Sequence, residues 1–130
     1  MQIQMELSRI LIAETRDYQL IELKEVDGQR RLPIVIGLFE AAAIERRLKG
    51  IDIRRPQTHD LLANTIAGMG GRLKRIVVND LQDDTFYAML VIDMDGQTVE
   101  VDSRPSDAIA LGIANDIPIF VEEHVLDSAG

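Results

Sequence analysis

Cysteine is absent from the 130 residues, which removes disulfides, thiolate metal sites and cysteine nucleophiles from consideration. Tryptophan is absent too and aromatics amount to 4%, so the core has to be aliphatic. No uncharged apolar run approaches the roughly 18 residues a bilayer requires, and the opening MQIQMELSRI lacks a basic-then-apolar signal pattern. The expected location is cytoplasmic. A Walker loop, a Rossmann glycine fingerprint, a zinc-ligand spacing and a serine-hydrolase elbow are all missing. Basic excess is missing as well: the net charge is -8 and the pI near 4.7, which argues against a surface that attracts nucleic acid everywhere.

What is present is the composition of an ordinary globular protein, 46% hydrophobic and 28% charged. Residues 1–130 are read as a single domain, long enough to bury its own core. The charge is unevenly spread. Residues 46–75 hold Arg46, Arg47, Lys49, Arg54, Arg55, Arg72, Lys74 and Arg75 against Asp52 and Asp60, which makes this window +6 and the remainder -14. Such segregation can set one positive region on an acidic body, and it can equally reflect solvated faces that never meet.

Three strands are expected first, over 3–12, 18–26 and the stretch QRRLPIVIG, with Asp27-Gly28 read as a two-residue hairpin turn. A helix follows in LFEAAAIERRLKG, with Ala41, Ile44 and Leu48 on one face and Gly50 as its C-cap. Thr58 is the expected N-cap of a second helix carrying Leu62, Ile66 and Met69 on a stripe, stopped by Gly70-Gly71. Strands return in RLKRIVVNDL, TFYAMLVIDM and QTVEVDS, with a turn at Asp95-Gly96. RPSDAIALGIAN is the third helix, DIPIFV a short strand, and EEHVLDSAG one last helical turn with a mobile tail. The class is α+β with a mostly antiparallel sheet. The order of elements suggests a duplicated β-β-β-α unit, with EAAAI at 40–44 set over DAIAL at 107–111.

Two helix starts share a vocabulary: RPQTHD at 55–60 and RPSD at 104–107. First-turn N–H groups lack intrahelical partners and, with the macrodipole, favour anions. An upstream arginine adds a planar donor suited to phosphate. Arg55 with Thr58, and Arg104 with Ser106, are therefore candidate phosphate-binding corners. Asp60 and Asp107 are candidate ligands for Mg²⁺ or Mn²⁺, the usual aid to phosphodiester hydrolysis where cysteine is lacking. His59 is a candidate general acid or base, since histidine titrates near neutrality. The same residues also satisfy ordinary helix grammar, because a first-turn Asp stabilises by roughly 0.3–1 kcal/mol. Arg104 can simply pair with Asp107 or Asp102.

PIVIG at 33–37, EAAAI at 40–44, RPQTHDLL at 55–62, the Phe86-x-Ala88-x-Leu90 strand and DSRPSDAIALGIA at 102–114, followed by Pro118-Ile119, together resemble the bifunctional nuclease domain family. The resemblance runs in order over nearly the whole chain. It implies the α/β bifunctional nuclease fold, a wedge-shaped domain working as a homodimer, and nuclease activity on RNA and DNA. It brings no catalytic residue set, so the site assignments remain those of the chemistry. The first reading is a metal-assisted nuclease: Asp107, Asp60, Glu40 and Asp102 would hold Mg²⁺ or Mn²⁺, Arg104, Ser106, Arg55 and Thr58 the phosphate, and His59 would serve the attacking water. It demands that two helix N-termini point at one cleft. The alternative is a non-catalytic dimeric module that binds a phosphorylated ligand or a protein partner.

Overall fold

The computed structural model describes residues 1–13, 15, 18–51 and 54–129. Asp52, one of the two acids counted in the basic window, lies outside them. Along the chain run β1 (Gln2–Leu11), β2 (Gln19–Glu25), β3 (Arg31–Ile36), α1 (Leu38–Lys49), α2 (Thr58–Gly68), β4 (Gly71–Gln82), β5 (Thr85–Met94), β6 (Gln97–Ser103), α3 (Pro105–Ala114), β7 (Ile119–Glu122) and α4 (Glu123–Ala129).

Among the described residues the strands form one sheet, ordered β3-β2-β1-β7-β4-β5-β6. Only the β4–β7 pairing is parallel, so the domain is α+β with a mostly antiparallel sheet, as its hairpin signals require. Each half of the chain lays down a three-stranded meander, and short β7 joins β1 to β4. Strand order by itself does not make the halves copies, and α2, β7 and α4 have no place in a simple β-β-β-α repeat.

One face of the sheet carries the core. Ile21, Leu23, Ile34, Ile76, Val78 and Leu90 from the strands pack with Ala41 and Ile44 of α1 and with Ala108, Ile109 and Leu111 of α3. Alanines and a glycine let α3 lie close to the sheet: a methyl group at Gly112 would sit 2.3 Å from Ile76 Cδ1. α1 ends as its sequence directs, with Arg46, Arg47 and Lys49 in the last turn and Gly50 left-handed at φ 62°.

Four local expectations need correction. Asp27-Gly28 is not a two-residue turn, because residues 26–30 separate β2 from β3. The Glu25 carboxylate organises that loop by accepting from both the Arg30 N–H and its Nε. Thr58 is the first helical residue of α2 and not its cap. Gln57 caps the helix, and its N–H donates to Asp60 at 2.9 Å. The stripe on α2 is shallow, since Met69 is 72% exposed and only Ala63 and Ile66 reach the core. Finally, the C-terminal segment is the packed helix α4, in which Val125 and Leu126 are buried and His124 lies 3.7 Å from Asp80. Two aliphatic side chains at i, i+1 make too short a pattern to be read as a helix face.

Candidate functional site

α3 begins at Pro105, which suits the first helical position because its missing N–H has no partner to lose there. Arg104, immediately before it, takes an extended conformation at φ -71° and ψ 145°. This turns its guanidinium back across the first turn of α3. Arg104 Nε donates to Asp107 Oδ2 at 2.9 Å and Nη2 to Asp107 Oδ1 at 3.2 Å. Its third group, Nη1, donates to Glu40 Oε1 of α1 at 2.8 Å. Gly37 makes room for that contact, because a Cβ there would come within 2.9 Å of Glu40 Oε2.

The second helix start reaches the same place. His59, in the first turn of α2, brings Nε2 to 3.0 Å from Asp107 Oδ1. Two helix N-termini thus converge, but the residues that meet are His59 and Asp107, not the two aspartates. Asp60 faces away: it accepts from Arg47 Nη2 at 2.8 Å and from the Gln57 N–H. The Arg47 side chain is only 8% exposed, so Asp60 neutralises a nearly buried charge.

Electrostatics hold the Asp107 corner ionised. Burial raises the Asp107 pKa and is the largest single influence on it. The hydrogen bonds and charges of Arg104 and His59 together outweigh burial and leave the carboxyl below its ordinary value. Arg104 is shifted upward, first by its hydrogen bond to Asp107 and then by that carboxylate's charge and by Glu40.

The Glu40–Arg104 pair forms a ridge between two open grooves. One, of 520 Å³, runs along β3 past Gly37 to Pro105 and Ser106. The other, of 730 Å³, is lined by Phe39, Glu40 and Arg46 of α1, by Pro56 through His59, by Leu61, and by Arg104 and Asp107. Of the residues expected from sequence, Glu40, His59, Arg104 and Asp107 form one bonded cluster and Thr58 lines the larger groove beside them. Ser106 lies buried beside the other groove. Arg55 is exposed on the connector, one residue before Pro56. Asp102 pairs with Met89 on β5, whereas core-facing Ala88 and Leu90 pair with Ser103 and Val101. Alternation therefore turns Asp102 to the face of the sheet away from the helices, out of reach of Asp107.

Sequence reasoning missed two groove residues. Phe39 is 87% exposed, and its signal was an aromatic in the first turn of an amphipathic helix, off the apolar face. Arg46 lines the groove with its Nε buried and without a hydrogen-bond partner among the described residues. It was visible beforehand only as one member of a basic run. That run divides in space: Arg46 faces the groove and Arg54 and Arg55 lie exposed on the connector leading to it, whereas Arg72 lies on β4, beside α2 residues remote from the cluster.

A mostly antiparallel sheet backed by helices, with two helix starts that meet through an Asp–His contact braced by arginine and flanked by grooves, defines an α+β domain. The chain belongs to the bifunctional nuclease domain family, whose model matches residues 21–130. An uncharacterized protein of Mycobacterium tuberculosis strain H37Rv is 42% identical over 121 residues, covering 93% of this chain and 72% of that protein. Bifunctional nuclease 1 of Oryza sativa subsp. indica is 24% identical over 123 residues, 92% of this chain and 37% of the rice protein. Bifunctional nuclease 1 of Arabidopsis thaliana is 27% identical over 114 residues, 85% of this chain and 35% of the plant protein. The chain thus spans little more than a third of these plant relatives. Among the described residues no helix is long and apolar enough to cross a membrane.

Proposed function

We propose that this chain is a nuclease that hydrolyses phosphodiester bonds in RNA and DNA at the His59–Asp107 corner. The observation that carries the reading is the 3.0 Å contact between His59 Nε2 and Asp107 Oδ1 at the floor of an open groove. Membership of a family whose plant relatives are called bifunctional nucleases supports it. Asp107 orients the imidazole, and with Nε2 engaged, Nδ1 is the nitrogen left to take a proton from water. Arg104 uses three of its five N–H donors on Glu40 and Asp107. The remaining two are available to a phosphate, with the guanidinium already held in place.

The metal is part of the proposal. Among the described residues no three carboxylate or imidazole side chains converge on one point. Glu40 and Asp107, both on Arg104, would be the protein ligands of Mg²⁺ or Mn²⁺, and substrate oxygens and water would complete the shell, as magnesium commonly requires. Such an ion would supply charge neutralisation at the phosphate. Asp60 and Asp102 are not among these ligands, for the reasons of geometry given above.

A second reading rests on a different fact: both carboxylates of the cluster already have an arginine, Asp107 and Glu40 sharing Arg104. That pattern suits a non-catalytic dimeric module binding a phosphorylated ligand or a protein partner. In either case the working unit proposed is a homodimer. The deciding experiment is cleavage of labelled single-stranded RNA and double-stranded DNA by wild type, Asp107→Asn and His59→Ala, purified identically, with Mg²⁺, Mn²⁺ or EDTA. The nuclease reading expects each folded variant to lose about a hundredfold, on the order of 2.7 kcal/mol in the barrier. Equal cleavage by all three proteins would remove the activity from this corner.

A further inference from the structure

We propose that Phe39 is a base-stacking platform that makes the larger groove select unpaired nucleotides. The inference deepens the nuclease reading and rests on its assignment of the groove to nucleic acid. Phe39 is the most exposed of the large apolar side chains among the described residues, at 87%. A phenylalanine left in water forgoes roughly 1.5–3 kcal/mol of burial, and here it does so at the rim of the groove that contains His59 and Asp107. Leu61, 60% exposed, and Pro56 line the same groove. An apolar rim therefore stands over a polar floor.

Guanidinium groups stand in and beside that floor where a backbone would lie, next to the carboxylates of Glu40 and Asp107. Arg46 lines it with a buried Nε that has no partner among the described residues. Arg104 lies beside it, and exposed Arg54 and Arg55 lead into Pro56. A flat apolar face next to guanidinium groups matches the two halves of a nucleotide, since the base stacks on the ring and the phosphate takes the charge. An apolar protein segment would use the rim and leave Arg46 without a partner. A paired base inside a duplex has both faces covered by its neighbours, so only a single strand or a splayed nucleotide can use Phe39. The volume of 730 Å³ is within the range of small-molecule sites and suits a nucleotide.

The test measures binding apart from cleavage. Fluorescence anisotropy in EDTA would follow a 12-nucleotide oligothymidine and a blunt-ended, fully paired duplex on wild type, Phe39→Ala and Phe39→Trp, with light scattering reporting molar mass. Stacking on one base is worth about 1–3 kcal/mol. Phe39→Ala is expected to weaken the single strand about tenfold or more, leave the duplex unchanged and keep the molar mass, while Phe39→Trp binds at least as well as wild type. Unchanged single-strand binding, equal loss on both probes, or a fall in molar mass overturns the proposal, the last because a second copy of the chain would then cover Phe39. Cleavage assays separate the two readings. Selective loss of single-strand binding in a protein that cleaves nothing keeps the stacking platform and removes the nuclease, and a metal-dependent nuclease indifferent to Phe39→Ala does the reverse.

Discussion

Replacing Gly112 with alanine tests the contact that sets α3, and with it Arg104 and Asp107, against the sheet. The new methyl would lie 2.3 Å from Ile76 Cδ1 and 3.6 Å from the Ile117 carbonyl oxygen. The first distance is far inside van der Waals contact, and Ile76, at 0% exposure in the core, has to shift its terminal methyl against buried neighbours to relieve it. Overpacking of this kind costs about 1–3 kcal/mol. Alanine in place of glycine inside a helix returns about 1 kcal/mol. With the clash this severe the net expectation is a loss of about 1–2 kcal/mol, or a Tm lower by roughly 4–8 °C for a domain of this size. Ile76→Val removes Cδ1 and alone costs about 1 kcal/mol. In that background Gly112→Ala should be neutral or stabilising, so a double-mutant cycle in urea should return a coupling near 2 kcal/mol. A Gly112→Ala protein more stable than wild type, or a cycle additive within about 0.5 kcal/mol, would refute the close approach and the rigid placement of the site that follows from it.

Asp60→Asn should act on stability first. It leaves the Arg47 charge without a counter-ion in a side chain 8% exposed, and one carboxamide oxygen in place of the two that accept from Arg47 and the Gln57 N–H. The expected cost is about 2 kcal/mol, below the range for fully buried pairs because Asp60 keeps some solvent; unchanged urea unfolding would restore Asp60 as a candidate ligand. The acid limb of stability reports on Asp107. Its folded pKa is lowered, so its contribution is fully present above the unfolded value of about 3.9 and fades as pH falls through the lower folded one. The stability gap between wild type and Asp107→Asn should stay constant from pH 7 to about 5 and close below about 4, measured by urea unfolding at each pH. A gap that persists undiminished well below about pH 4 contradicts the pairing with Arg104.

Much of the frame is legible from local chemistry alone. β5 and β6 run over the residues their alternation marks, Thr85–Met94 and Gln97–Ser103, because period-two patterning and a turn signal act within a few residues. Gly50 and Pro105 terminate and begin helices for reasons of backbone geometry that need no partner. The two RP-hydroxyl-Asp strings are also brought together, since His59, Arg104 and Asp107 meet. What sequence cannot rank is competition among partners distant along the chain. Asp60 and Asp107 occupy equivalent first-turn positions, yet one faces Arg47 of α1 and the other Arg104 before its own helix and His59 of α2, because the packing of the helices brings different side chains to each start. Asp102 and Asp107 are five residues apart, and the pleat of β6 sends one to the far face of the sheet. Phe39 and Arg46 join the site only through the packing of α1 on α3, whose Ala41 and Ala108 let the helices approach. Periodicity and capping belong to the sequence; which charges share a groove is decided by packing, since one hydrogen-bond partner excludes another only in three dimensions.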